Sequence, residues 1–181
     1  MSKALLSENS NITMRFFTKL LAASIITIPL GGCYTTGLKF PPHVRKIAVP
    51  VFHNDSYTRG VELDLTDRIR ELIIDMSDVQ LVINESAADA VLRGEITRVD
   101  FPVLVGGNEP RILEGSAVVS VSAVLVDSKT NKTIARTSGE DRAEFTTTLG
   151  ESRKSAVKEL VDTLAWRIVL GLSARSETPE P

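Results

Sequence analysis

The chain has 181 residues, 43% of them hydrophobic, with 21 Lys and Arg against 23 Asp and Glu. That balance lacks the basic excess expected of a nucleic-acid binder, so no nucleic-acid partner is expected. A single cysteine excludes an internal disulfide and a cysteine-based metal site, and the two histidines, His43 and His53, lack the spacing of a shared helical face.

The N-terminus reads as an export signal. Arg15 and Lys19 form a basic start, and "LLAASIITIPL" (Leu20 to Leu30) is an apolar run of 11 residues. That is the length of a signal-peptide core and too short for a membrane-spanning helix, which takes about 20 apolar residues. Two glycines and Cys33 follow. Small residues let an extended backbone enter a peptidase groove, and a thiol can accept a diacylglycerol as a thioether. "Leu30-Gly31-Gly32-Cys33" therefore looks like a bacterial lipobox, with Cys33 as the lipid attachment site. Met14 is an alternative start to Met1, since "MRFFTKLLAASIITIPLGGC" is a compact signal peptide by itself. Lipid would tie the mature chain to the membrane. Tyr34 follows Cys33 where inner-membrane retention in enteric bacteria typically uses Asp. The expected location is the periplasmic side of an outer membrane.

Residues 1–32 are thus read as a signal peptide and 33–45 as a lipidated linker stiffened by Pro41 and Pro42. The 149 residues after the leader carry 18 basic and 22 acidic side chains, enough length for one domain, placed at 46–172. "KIAVPVF" (Lys46 to Phe52) predicts a strand in which Pro50 marks an edge, a bulge or an end. "HNDS" reads as a turn. Gly60 to Met76 predicts a helix with Leu65, Ile69, Leu72, Ile73 and Met76 on its buried stripe and an Asp64–Arg68 pair outside. Val79 to Ile83 predicts a second strand, joined by a parallel crossover.

Ala88 to Phe101 alternates as a half-buried strand. Val105 to Arg111 reads as a loop. Gly115 to Asp127 is the clearest strand, and "SKTNK" turns it into an antiparallel return at "TIARTS". "EDRAEFTTT" either extends that return or leaves the sheet. Glu151 to Leu172 predicts the second helix, with Val157, Leu160, Val161, Leu164 and Ile168 inward, Ser152 as its cap, Gly171 near its end and Trp166 half-buried. Residues 173–181 read as a disordered tail. The order β-α-β-β-β-β-α gives an α/β chain of the α+β two-layer kind. A mixed four- to five-stranded sheet would carry both amphipathic helices on one face. The other face, with Arg93, Glu95, Thr97, Ser120 and Ser122, is left wet or free to meet a partner.

No phosphate loop, HExxH, GxSxG or CxxC occurs. Asp64, Asp67 and Glu71 fall on the polar side of a helix and form no isolated acid–base pair. The expectation is a non-enzyme with no catalytic residues, no metal and no cofactor.

Three stretches carry a family resemblance. Val49 to Asn54 gives a VPxF-N strand end, Gly60 to Thr66 a G-x-E-x-x-L-T helix start, and Ala88 to Ile96 an A-D-x-x-L-x-G-x-I strand. With the lipobox and the C-terminal helix they resemble the LptE family of lipopolysaccharide-assembly lipoproteins, closest to the divergent branch outside the proteobacteria, over about residues 30 to 170. One departure is that Tyr34 follows Cys33 directly where the family often has Gly and then an aromatic residue. The resemblance implies a lipoprotein that plugs and helps assemble an LptD-type outer-membrane β-barrel and binds lipopolysaccharide in transit. It also implies glycolipid contacts from basic side chains near strand-connecting loops. Arg111 is the first candidate by location, then Lys129 and Lys132, then Arg98, because lipid A phosphates need Arg or Lys. The competing reading is another envelope lipoprotein of similar fold, either a secretion-pore subunit or an activator of peptidoglycan synthases.

Overall fold

The computed structural model describes residues 37–106 and 112–176. Cys33 and Arg111 lie outside the described residues. The elements are β1 (Lys46–Ala48), β2 (His53–Asn54), α1 (Val61–Met76), β3 (Gln80–Val82), β4 (Ala90–Asp100), β5 (Val103–Gly106), β6 (Ile112–Asp127), β7 (Thr133–Thr146) and α2 (Arg153–Ser176).

The seven strands form one sheet. β1 lies parallel between β3 and β4, and β2 continues beside β4 in the same sense. β4 and β5 both pair antiparallel with one edge of β6, and β7 pairs with its other edge. Five ladder positions result, within the expected four to five, because β1 and β2 share one position and β4 and β5 share another. The two helices and one sheet face build the main core, with Ile47, Leu65, Ile69, Leu92, Ile96, Leu125, Leu164 and Ile168 essentially sealed. This is the mixed two-layer α+β arrangement expected, with both helices on one face.

Pro50 explains the split first strand. Its missing N–H interrupts the ladder, and β1 stops at Ala48. α1 takes up the broken ends. The Arg70 guanidinium donates to the Val49 carbonyl from Nε at 3.1 Å and Nη2 at 2.6 Å. The Phe52 amide donates to Thr66 Oγ1 at 3.0 Å, and that hydroxyl donates to the Glu62 carbonyl at 2.6 Å. Glu62 accepts from Asn54 Nδ2 at 2.6 Å and from the Gly60 amide at 3.0 Å. Gly60 enters the helix at φ 95°, a conformation that favours glycine. Across the sheet the Phe52 ring lies on Gly94, where a Cβ would meet Cε2 at 1.9 Å. Asp89 accepts the amides of Arg45 and Lys46 at 3.1 and 3.0 Å and fixes the start of β1. All three stretches that carry the family resemblance meet in this joint.

Several boundaries differ from the sequence reading. His53–Asn54 is a strand rather than a turn, because the chain regains β4 once past Pro50. Val103–Gly106 is strand β5, and β7 runs unbroken to Thr146. α2 continues to Ser176. Gly171 is an interior residue there, because a Cβ would meet Thr137 Oγ1 at 2.6 Å as the helix crosses β7. Arg68 pairs with Glu71 and Asp162 rather than Asp64. Trp166 is 40% exposed. Ser152 caps α2 as its position suggests, accepting the Ser155 amide at 3.2 Å while Ser155 Oγ accepts the Ser152 amide at 2.8 Å. Leu38 and Val44 belong to the core, so the segment read as linker packs onto the fold.

Replacing Thr66 by Val keeps the shape but orphans the buried Phe52 amide, and should cost about 1–3 kcal/mol. Gly94→Ala should cost about 2 kcal/mol by overpacking against Phe52. Urea unfolding of both variants checks the joint, and wild-type stability in either would show that the segment can relax away from its partners.

Candidate functional site

The sheet face opposite the helices is a polar surface. The register aligns Arg93 with Val124 and Arg136, Glu95 with Ser122 and Ser138, Arg98 with Ser120 and Glu140, and Asp100 with Val118 and Arg142. Arg93, Thr97, Arg98, Ser138, Glu140 and Arg142 are exposed. The corner near β3 is sealed, where Ala48, Ala88, Val91 and Val82 form a small second cluster beside the turn Glu85–Ala87, and on β6 Ser116 and Val118 are also buried.

Charges on this face are paired across strands. Arg98 reaches Asp100 and Glu140, both at 3.2 Å, while Ser120 Oγ donates to Glu140 at 2.6 Å. A bulge between Ile96 and Arg98 puts Arg98 in register with Ser120. Arg93 pairs with Glu85 at 2.9 Å. At the β2 margin His53 stands 2.7 Å from Asp55. The hydrogen bond and the charge of Asp55 raise the pKa of Glu95 above the ordinary carboxylate value. Arg93 and Arg98 on this side are thus engaged with acids, Arg98 with two of them, while Asp55 and Glu95 are a like-charged pair.

Lys129 and Lys132 occupy a different part of the molecule. They flank the β6–β7 turn, in which Asp127 accepts the amides of Lys129 and Thr130 at 3.0 and 2.7 Å and the Thr130 hydroxyl at 2.9 Å. The Thr130 amide leads the causes that lower the pKa of Asp127. Asn131 takes φ 55° to close the turn, and the Ser128 amide ties it to the Asp89 carbonyl at 2.9 Å. The tip is therefore a fixed platform with both lysines exposed.

Arg111 lies outside the described residues. Its sequence neighbour Ile112 begins β6, whereas Lys129 and Lys132 follow the other end. Sixteen residues of strand at about 3.3 Å each span roughly 50 Å. The two ends of β6 cannot touch one phosphorylated headgroup, so the candidates do not form a single site.

A cavity of about 740 Å³ lies between the N-terminal halves of α1 and α2, floored by Val61, Val157 and Val161 and rimmed by Arg59, Arg153 and Lys158. Its acids are matched by bases, as in Arg68 with Asp162 at 2.8 Å. Among the described residues no three His, Cys, Asp or Glu side chains are placed to hold a metal ion. No described helix is long and apolar enough to cross a membrane.

Sequence reasoning placed Thr66 in a family motif without giving it a contact, and did not single out Arg70, nor Lys39, Arg45 and Lys46 at the entering end. The signal for Thr66 and Arg70 was Pro50. A strand broken by proline leaves backbone groups that a neighbouring element must satisfy.

The chain matches one family model, described as "LptE: Lipopolysaccharide-assembly", over residues 44–172. No curated protein matches its sequence. Its fold is similar to that of the PelC dodecamer from Paraburkholderia phytofirmans, at 17% identity and a TM-score of 0.55 over 76% of this chain and 94% of that one. It is also similar to the solution structure of an uncharacterized lipoprotein B from Nitrosomonas europaea, at 13% identity and a TM-score of 0.51 over 77% and 88%. Identities at this level speak to the fold alone.

The Asp55–Glu95 contact gives a direct test. A raised folded pKa means the pair favours protonated Glu95 at low pH and repels as pH rises through that value. Asp55→Asn should lower the Glu95 pKa, followed by carboxyl NMR shifts. An unmoved titration would show that Asp55 is not the cause.

Proposed function

The chain belongs to the LptE lipopolysaccharide-assembly family, and from that premise we propose that it is a non-catalytic outer-membrane lipoprotein that plugs an LptD-type barrel. In this reading residues 1–32 are removed as a signal peptide and acylated Cys33 holds the domain on the periplasmic side. The domain assists assembly of the barrel and takes part in moving lipopolysaccharide to the outer leaflet. The observation that carries the reading is the family match, which runs from Val44 to Leu172 and so takes in α1, the whole sheet and all but the last turn of α2.

Physical dimensions support it. Five ladder positions about 4.8 Å apart make a sheet roughly 20 Å wide, and a helix layer adds about 10 Å. Barrels of 16–18 strands leave only an aqueous channel, whereas lumens that hold a folded plug occur at about 22 strands. A barrel that took in this domain would have to be of the large kind. The lumen side of such barrels is polar, and the open sheet face offers it paired charges and serines. Their pairing with acids lets Arg93 and Arg98 meet a polar wall without being stranded as lone ions.

The reading is tested by tagging the C-terminus of the full chain, solubilising outer membranes and identifying what co-purifies. A large barrel at near-equimolar ratio is expected. A homo-oligomeric ring or a peptidoglycan synthase, with no barrel, would leave the fold standing and remove this function.

Arg111 remains the first candidate for lipid A phosphate, being a guanidinium in the connection between β5 and β6. Arg111→Asp should weaken lipopolysaccharide binding by about tenfold or more, the worth of a charge-assisted hydrogen bond. Unchanged binding removes Arg111 from the site and shifts attention to Lys129, Lys132 and Arg98.

A further inference from the structure

We propose that the end of the domain where the chain enters is a docking face for anionic phospholipid, with Lys39, Arg45, Lys46, Lys129 and Lys132 set against lipid phosphates. The proposal rests on acylation of Cys33, the reading given above.

The first observation is the shortness of the tether. The Leu38 amide donates to the Met76 carbonyl at 2.7 Å, and its side chain is buried. The Lys39 amide donates to Ser173 Oγ at 2.8 Å, and that hydroxyl donates back to the Lys39 carbonyl at 2.8 Å. The chain is thus fixed to the C-terminal ends of both helices from Leu38 onward. Four residues separate Leu38 from Cys33. Even fully extended they let the two Cα atoms stand no more than about 18 Å apart. Part of that reach is taken up by the headgroup layer, about 5–8 Å thick on each side of the hydrocarbon. An anchored domain therefore keeps this end next to the lipid.

The second observation is what this end presents. β1, β3, β4 and β7 begin here and β6 ends here, so separate segments bring their cations together. Lys39, Arg45, Lys46, Lys129 and Lys132 are all exposed. The acids among them are committed to backbone. Asp89 accepts the amides of Arg45 and Lys46, which lead the causes of its lowered pKa, and Asp127 closes the hairpin turn. Asp75 lies in the last turn of α1, and Asp78 stands just beyond that helix, on the wall of the groove at this end. His43 stands 3.9 Å from Asp127.

The third observation is a groove of about 660 Å³ at the same end. Leu38, Phe40, Pro41, Val44 and Val79 line it, with Arg45 and Asp78 also contributing to its wall. An apolar floor beside a guanidinium fits one phospholipid, its glycerol and upper acyl carbons inside and its phosphate on the cation.

The test uses the intact acylated chain in vesicles of three parts phosphatidylethanolamine to one part phosphatidylglycerol. Acylation blocks Cys33, so a cysteine introduced by Thr133→Cys at the entering end or Leu149→Cys at the far end is the single labelling site. Both positions are exposed. A fluorophore at 133 should be quenched strongly by headgroup-linked quencher, and one at 149 weakly. Lys129→Gln with Lys132→Gln should reduce the docked-to-free ratio about 25-fold, fivefold for each cation lost from an anionic surface. High salt should act in the same direction on the unsubstituted chain. Equal quenching at 133 and 149, or quenching at 133 that ignores both the double variant and salt, overturns the docking face. A chain whose mass shows no acyl groups and which fails to sediment with vesicles overturns the Cys33 reading and this proposal together. An acylated, sedimenting chain with no preference for position 133 overturns this proposal alone.

Discussion

The break at Pro50 is the constraint on which the arrangement depends. A parallel strand buried beside two neighbours has no place for a proline, because a missing donor in the ladder has no water to replace it. The chain leaves the ladder after Ala48 and returns at His53. Its loose ends, the Val49 carbonyl and the Phe52 amide, are taken by Arg70 and Thr66 of α1. The same detour turns Phe52 inward onto Gly94. A helix that packs only by an apolar stripe can slide or rotate by a residue. One that must also meet two fixed backbone groups cannot. α1 is therefore placed by directional bonds, and α2 packs against a surface already set.

The three stretches that identify the family are legible in physical terms through this joint. Glu62 and Asn54 hold each other, Gly60 opens the helix with a positive φ, and Asp89 fixes the start of β1. They serve the fold, which is why a pattern so informative about family says little about chemistry.

Periodicity was enough to find both helices and the long strands. The stripes from Leu65 to Ile73 and from Val157 to Ile168 are the buried ones, because amphipathic spacing responds to the same burial that forms the core. What escaped it depends on contacts distant in sequence. Ser173 is polar and follows the last expected helical residue, yet it is buried because Lys39, 134 positions earlier, supplies its partners. Gly171 reads as a helix end by local rules and is an interior contact because Thr137 lies beneath it. β5 is too short for a periodic signal and exists because β6 extends beyond β4 and offers it an edge. Among the candidate cations, Arg98 was visible as a residue, but its engagement with Asp100 and Glu140 depends on a bulge that no spacing rule announces.

These placements give the molecule a polarity. One end holds the chain entry, the helix C-termini and exposed lysines on a rigid turn. The other holds the helix N-termini and the connection from β5 to β6. The face between them is charged, with Arg93 and Arg98 engaged by acids and Asp55 set against Glu95. Phosphate is the common chemistry of a phospholipid surface and of lipopolysaccharide, yet roughly 50 Å of strand separates the two ends of β6. A single phosphorylated lipid cannot bridge them. If Lys129 and Lys132 lie against a phospholipid surface, as proposed above, a site for lipopolysaccharide falls at the opposite end in that same reading. The chain's overall acidity is then no obstacle, because each end needs only a local cluster. Long-range repulsion from distant carboxylates is screened within about 10 Å at ordinary salt.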